Sequence, residues 1–199
     1  MTAAPEFSTL LDEIRKLYDN TPALQDFAPW PDDLRPQPLT PHYIPAADLM
    51  VNDSGLYSEG FAALRDAFIA ASNVAQWRET YKYSGISNDF LDRFGCYSVI
   101  GGGGAYAADQ LSAYVVYMPA GLHYPWHHHP AEEIYFILAG EAEFHLEGEP
   151  SKTLRPGDAV YHPSNRPHAT DTHDHPFMAL VLWRGDLNTR PVLSEGVMQ

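Results

Sequence analysis

His127, His129 and Glu133 fall in one short stretch, Gly-Leu-His-Tyr-Pro-Trp-His-His-His-Pro-Ala-Glu-Glu-Ile-Tyr-Phe-Ile-Leu-Ala-Gly, residues 121–140. In an extended chain, successive side chains point to opposite faces. His127, His129, Glu133, Tyr135 and Ile137 then share one face, and His128, Glu132 and Ile134 share the other. Two imidazoles and a carboxylate on one side of a sheet suit a divalent transition metal. A further imidazole is offered by His168, after a turn (Arg155-Pro-Gly-Asp), a short strand and a second proline-containing turn. Histidine-rich strings are often plain surface sequence, but two separately spaced motifs rarely arise by coincidence. His128 reads as a neighbour facing away. His123, His145, His162, His173 and His175 read as polar strand or loop residues.

The elements that must hold these groups are strands. Glu133–Leu138 is rich in β-branched and aromatic residues, and Ala139-Gly140 breaks it. A second run, Glu141–Glu147, follows at once and ends at Gly148, which predicts a hairpin. Further strands are predicted at Cys96–Ile100, Ser112–Met118, Asp158–Tyr161 and Phe177–Trp183. Short strands separated by turn signals predict a small antiparallel barrel or sandwich.

At these residues the sequence resembles the cupins. Gly121, His127, His129, Glu133 and Gly140 match the first cupin motif without a gap. Gly157, Pro163 and His168 match the second, with Asn165 where that family has Gly and Thr172 where it has Asn. Asn is the best substitute for Gly where φ is positive, so the first departure does little harm. The second touches no ligand. The resemblance covers roughly the C-terminal half. It implies a mainly β fold: a cupin antiparallel β-barrel (double-stranded β-helix) over residues 101–199. Residues 1–100 are expected to form an N-terminal α-helical extension, packed with it as one unit.

In that extension, residues 6–19 predict a helix, with Phe7, Leu10, Leu11, Ile14, Leu17 and Tyr18 at three- and four-residue steps. Residues 20–50 carry many prolines and read as an ordered but irregular connection. Residues 58–80 predict the best helix, capped by Ser58, with Phe61, Leu64, Phe68, Ile69, Ala71 and Trp77 as its apolar stripe. Asn88–Phe94 predicts a shorter helix stopped by Gly95. Gly101–Gly104 reads as a hinge or a tight chain approach. On a hinge there, the helices could cover the barrel mouth as a lid.

The composition narrows the function classes. A chain of 199 residues that is 45% hydrophobic can build a real core. It has 12 basic and 26 acidic residues, a net charge of −14, which argues against nucleic acid and anionic membranes as partners. A cationic small-molecule partner is compatible with that charge. A homodimer is left open. Cys96 is the single cysteine, so no disulfide forms within the chain and a reducing compartment is expected. The first residues lack a signal-peptide pattern, and no window approaches the ~18 apolar residues of a membrane span. A soluble cytoplasmic protein is the expectation.

Two or three histidines and one carboxylate leave open positions on a metal, for Lewis-acid chemistry or for oxygen if the ion is redox-active. Zn²⁺, Fe²⁺, Mn²⁺, Co²⁺ and Ni²⁺ all accept such ligands. Tyr135 follows Glu133 on the same predicted face, and Tyr124 precedes His127 beyond the bend at Pro125. A free phenol has a pKa of about 10. A nearby divalent cation lowers it, making phenolate a candidate base for a proton next to a metal-held carboxylate. The plainer alternative is that both tyrosines pack the barrel mouth. Trp126, Tyr135, Tyr161 and Trp183 could crowd one pocket and hold an onium group, at roughly 0.5–2 kcal/mol per ring. Each could equally be an ordinary core aromatic.

The series Tyr124, His127, His129, Glu133 and Tyr135, then His168 and Trp183, resembles the cupin-type dimethylsulfoniopropionate (DMSP) lyases, most of all their Q-type branch. The resemblance implies a metal-dependent β-elimination of DMSP to dimethyl sulfide and acrylate. It implies His129, Glu133 and His168 as ligands of one divalent ion (Zn²⁺, Fe²⁺ or Mn²⁺), with Tyr135 as a ligand that shifts when the substrate carboxylate binds. Tyr124 would take the C2 proton. His127 would be a fourth ligand or a hydrogen-bond donor behind the ligands. Trp183 and Trp126 would face the sulfonium. Spacing alone does not rank Tyr124 against Tyr135 as the base. Three other readings use a similar site. An Fe(II) dioxygenase would consume oxygen. A ligand-sensing cupin would want a DNA-binding region, which is not seen. A sugar isomerase would want a basic pocket, yet Lys152, Arg155, Arg166, Arg184 and Arg190 are the few cations in the C-terminal half.

Overall fold

The structure is a computed structural model and describes residues 3–195. Helix α1, Pro5–Asp19, forms where its apolar spacing predicts and buries Phe7, Leu10, Ile14 and Tyr18. Each such side chain taken from water contributes roughly 1.5–3 kcal/mol. The proline-rich stretch is more regular than expected. It holds α2 (Pro22–Phe27), a short strand β1 (Arg35–Pro36) and α3 (Pro45–Asn52). Pro22 and Pro45 open their helices, where the missing N–H is not needed and the fixed φ is already helical.

The helix expected over 58–80 is shorter. α4 spans Ala62–Ala71 and passes into a 3-10 turn at Ser72–Val74. Ser58 does not cap it; its hydroxyl donates to the Leu138 carbonyl. Trp77 lies beyond the helix and bridges to Tyr97. The short helix α5, Asn88–Arg93, is capped by Ser87, whose hydroxyl accepts from the Phe90 N–H. Among the described residues no helix is long and apolar enough to cross a membrane.

The strands that follow are β2 (Gly95–Ile100), β3 (Tyr106–Ala107), β4 (Ser112–Met118), β5 (His123–His128), β6 (Glu132–Gly140) and β7 (Ala142–Leu146). They continue with β8 (Lys152–Leu154), β9 (Ala159–His162), β10 (His168–Asp171), β11 (Phe177–Arg184) and β12 (Val192–Leu193). Two sheets form, in the orders β1-β3-β2-β4-β11-β6-β9 and β12-β5-β10-β7-β8. The result is the mainly β, cupin-type fold with N-terminal helices. The large sheet already includes β2, ahead of residue 101. The run Gly101–Gly104 makes a tight turn in which a Cβ on Gly104 would meet the Val99 carbonyl oxygen at 2.6 Å.

The large sheet is buried on both faces. Tyr135, Ile137, Phe177, Ala179, Val181 and Trp183 point between the sheets. Ile134, Phe136, Leu138, Met178, Leu180 and Leu182 point to the helices. This accounts for the unbroken apolar runs of β6 and β11.

The hairpin expected between Glu133–Leu138 and Glu141–Glu147 does not form. β6 pairs with β11 and β9, whereas β7 pairs with β10 and β8 in the other sheet. Gly140 is the corner where the chain changes sheets. Its φ is +68°, and a Cβ there would collide with the Pro176 carbonyl. Gly140→Ala is therefore expected to cost more than about 3 kcal/mol, as strained backbone adds to a backbone clash. A urea midpoint equal to the parent's would count against this corner.

Candidate active site and metal centre

Strand register gathers the site between the sheets. His127 pairs opposite His168, Glu133 opposite both His162 and Trp183, and Tyr135 opposite Val160 and Val181. One irregularity matters. From His168 to Thr170 on β10 the partner on β5 moves from His127 to Tyr124, so β5 carries an extra residue. That bulge lets Tyr124 and His127 both face inward, with their rings stacked at 4.0 Å. It also turns Trp126 outward, where its ring lies 6.1 Å from His145.

His127, His129, Glu133, His162 and His168 are all buried. The ligand atoms of His127, His129 and His168 lie within 4.8 Å of one another, and so do those of Glu133, His162 and His168. The ring protons can be placed. Nδ1 of His127 meets the Pro125 carbonyl at 2.8 Å, Nδ1 of His129 the Ala131 carbonyl at 2.9 Å, and Nδ1 of His168 the Arg166 carbonyl at 2.9 Å. A carbonyl only accepts, so each Nδ1 carries a proton and each neutral ring turns an Nε2 lone pair away from it. His162 places Nδ1 2.9 Å from Glu133 Oε2. Nε2 of His129, His162 and His168 is buried without a hydrogen-bond partner.

Two of those nitrogens lie close to the Glu133 carboxylate, His129 Nε2 at 3.5 Å and His168 Nε2 at 3.3 Å from Oε2. Lone pairs facing a carboxylate repel unless a proton or a cation lies between them. The donor set, its burial and its orphaned nitrogens fit a divalent transition ion.

The electrostatics follow from burial and this crowding. Burial, then the nearby His168, holds His127 well below its ordinary range, and the same causes push His162 down to about 4. Burial alone would raise Glu133, but a positive charge on His129, the hydrogen bond from His162 and the nearness of His168 hold it well below the usual carboxylate range. Burial likewise opposes a charged His129, yet the Glu133 carboxylate overrides it and raises that imidazole.

A pH dependence follows for the metal-free protein. Below about 6.5 an unfolded chain protonates His162, while the folded chain resists until about 4. The unfolded state then binds more protons, so stability falls as pH drops through that window, by up to roughly 3 kcal/mol. His127 acts in the same direction and the raised His129 opposes it. Denaturant midpoints between pH 7 and pH 4 should decline; a flat profile would mean these imidazoles are not buried neutral.

Tyr124, Glu133, Tyr135 and Trp183 line one pocket, together with Arg78, Phe94, Cys96 and Tyr114. Trp183 donates Nε1–H to Glu133 Oε1 at 2.5 Å, and its ring lies 4.3 Å from that of His129. Tyr161 is not at the site. It pairs opposite Ile134, on the outward side, and its hydroxyl donates to Glu132. Trp126 is absent for the reason given by the bulge. His128 faces away, as expected, towards Ser194.

Two site residues were not legible in the sequence. His162 reads as a polar strand or loop residue before Pro163, yet it belongs to the cluster; its register opposite Glu133 is the signal, and only strand pairing reveals it. Tyr81 lies far away in sequence, but its hydroxyl is 2.7 Å from that of Tyr124.

Residues 37–179 match the sequence model of the dimethylsulfoniopropionate lyase family. The chain belongs to the DMSP lyase family. It is 62% identical over 190 residues to the dimethylsulfoniopropionate lyase DddQ of Ruegeria pomeroyi, covering 96% of this chain and 94% of that protein. The crystal structure of DMSP lyase DddQ from Ruegeria pomeroyi DSS-3 superposes with a TM-score of 0.95 at 60% identity, over 98% of this chain and 99% of that one. A chain from the crystal structures of DMSP lyases RdDddP and RnDddQII gives 0.90 at 37% identity, over 96% and 98%. As a member of this DMSP lyase family, the chain is an enzyme of the carbon–sulfur lyase class.

Proposed function

We propose that this DMSP lyase family member cleaves DMSP to dimethyl sulfide and acrylate by β-elimination. The observation that carries the reading is its 62% identity to DddQ along nearly the whole chain. The buried cluster beside an aromatic pocket supports it. His129, Glu133 and His168 are the proposed ligands of a Zn²⁺, Fe²⁺ or Mn²⁺ ion. Tyr135, whose hydroxyl has no hydrogen-bond partner among the described residues, is the proposed additional ligand. His127 is a fourth ligand or a donor behind the others. Such an ion, when bound, would hold the substrate carboxylate, acidify the C2 proton and lower the pKa of nearby phenols.

The chain's own groups do the rest. Tyr124 takes the C2 proton on its phenolic oxygen. The released pair forms the C2–C3 double bond, and the C3–S bond breaks with its electrons moving to sulfur. The sulfonium leaves as neutral dimethyl sulfide, and acrylate remains. The Tyr81 hydroxyl, in contact with Tyr124, steadies the charge that develops on and leaves that oxygen. Trp183 and Tyr114 offer ring faces to the sulfonium. No oxidant is consumed.

The test is headspace gas chromatography on protein reloaded in turn with Zn²⁺, Fe²⁺ and Mn²⁺, with and without oxygen. Oxygen-independent dimethyl sulfide with matching acrylate is the expected result. No gas with any metal would withdraw DMSP as substrate. Gas or oxygen uptake only in air would favour a dioxygenase.

A further inference from the structure

This chain carries a net charge of −14, so cations without a carboxylate partner are scarce. Among the described residues, all of its 12 lysines and arginines but Arg78 and Arg190 form an ion pair with an aspartate or glutamate. Those two line the same cavity, of about 400 Å³, with Asn188, Gly102, Tyr114 and Glu79 also in its wall; the Glu79 carboxylate is already paired with Lys82 at 2.8 Å. Arg78, Thr80 and Tyr114 line the inner pocket as well, so the cavity adjoins the active site.

Arg78 is held without being neutralised. Its guanidinium lies 4.8 Å from the centre of the Tyr114 ring, and Nη1 donates to Ser98 Oγ at 3.3 Å. Tyr114 in turn packs 5.3 Å from Trp183, which donates to Glu133. A guanidinium has five N–H donors, and among the described residues Ser98 is the side chain that accepts from Arg78. Its planar fork matches a carboxylate. Two unpaired positive charges in one concavity of an acidic protein focus a local positive field.

We propose that this outer cavity is a carboxylate-binding vestibule, in which Arg78 and Arg190 receive the carboxylate of a small organic acid at the entrance to the active-site pocket. The inference deepens the function proposed above and rests on it for the identity of the acid: DMSP entering or acrylate leaving. The two arginines are capture and specificity residues and take no part in bond breaking.

The test uses the full, metal-loaded protein with Arg78→Gln, Arg190→Gln and the double variant. For substrate capture, KM for DMSP rises at least about tenfold in the double variant, the loss of a charged hydrogen bond, with kcat little changed. The salt dependence of kcat/KM weakens with it. For product release, inhibition by acrylate weakens by a similar factor. Either shift supports the vestibule and identifies which carboxylate uses it. Arg78→Lys, which keeps the charge, restores part of the effect. Arg190 is exposed, so its single variant stays informative if Arg78→Gln folds poorly. Ligand-observed NMR with acrylate and its neutral isostere acrylamide reads the same site without turnover. Acrylate binding that needs the arginines, in a protein releasing no dimethyl sulfide, would keep the vestibule and remove the lyase reading. Unchanged KM, acrylate inhibition and acrylate binding in the double variant would overturn the vestibule whatever the activity.

Discussion

Tyr124→Phe is expected to lower kcat by about 10²–10⁴-fold, the usual worth of a positioned general base, while leaving metal content unchanged. Burial holds the Tyr124 phenol well above 10, with Tyr81 and Tyr135 adding to the effect. Tyr135 is raised by burial and then by Glu133. The protein alone therefore keeps both phenols protonated at neutral pH, and only a bound cation would reverse that. What separates the two is their hydroxyl partners. Tyr124 touches Tyr81, so a neighbouring O–H can stabilise its phenolate. Tyr135 has no such neighbour among the described residues, which suits a group that exchanges with substrate on a metal. Tyr135→Phe should accordingly weaken metal binding as well as turnover. Removing the Tyr124 hydroxyl also strands that of Tyr81, at a stability cost of about 1–3 kcal/mol, so thermal unfolding must be checked beside the kinetics. Near-normal turnover in Tyr124→Phe would remove it as the base and leave that role to Tyr135.

How much of this was legible in the sequence depends on what each signal measures. Period-two alternation reports which side chains share a face, and it placed His129, Glu133 and Tyr135 together. It says nothing of which strand lies opposite. Hence alternation does not reveal His162, which β6–β9 register brings to Glu133. Alternation also fails at a bulge, which brought Tyr124 inward and sent Trp126 outward. The adjacency of two strand-like runs suggested a hairpin, because nothing local distinguishes a tight turn from a corner between sheets. The distinction lies in the Pro176 carbonyl packed against Gly140, far away in sequence. The many prolines of residues 20–50 suggest an irregular connection, although at the first helical position they start α2 and α3. Asn165, by contrast, has the positive φ, +58°, that its place in the second motif required.

The second large effect concerns Glu133, where removing one charge should abolish metal binding and spare the fold. Its carboxylate takes Trp183 Nε1–H on Oε1 and His162 Nδ1–H on Oε2, and it faces the unpartnered Nε2 atoms of His129 and His168. Glu133→Gln keeps the shape and one accepting oxygen, so a hydrogen bond survives and the neutral amide lowers the cost of burying this position. A bound metal would lose the anionic ligand proposed for it. Loss of the groups that only orient a ligand costs 10–100-fold in metal affinity, so loss of the ligand itself is expected to cost at least about 100-fold. Chelator competition reads that directly. Thermal unfolding reads it a second way: a ligand at 100 times its Kd stabilises the native state by about 2.7 kcal/mol, so metal should raise the parent's Tm and leave the variant's unmoved. The metal-free forms should unfold at similar temperatures. A variant that keeps the metal-dependent rise in Tm would place the ion on the three imidazoles of His127, His129 and His168, with Glu133 serving to hold His162 and Trp183 in place.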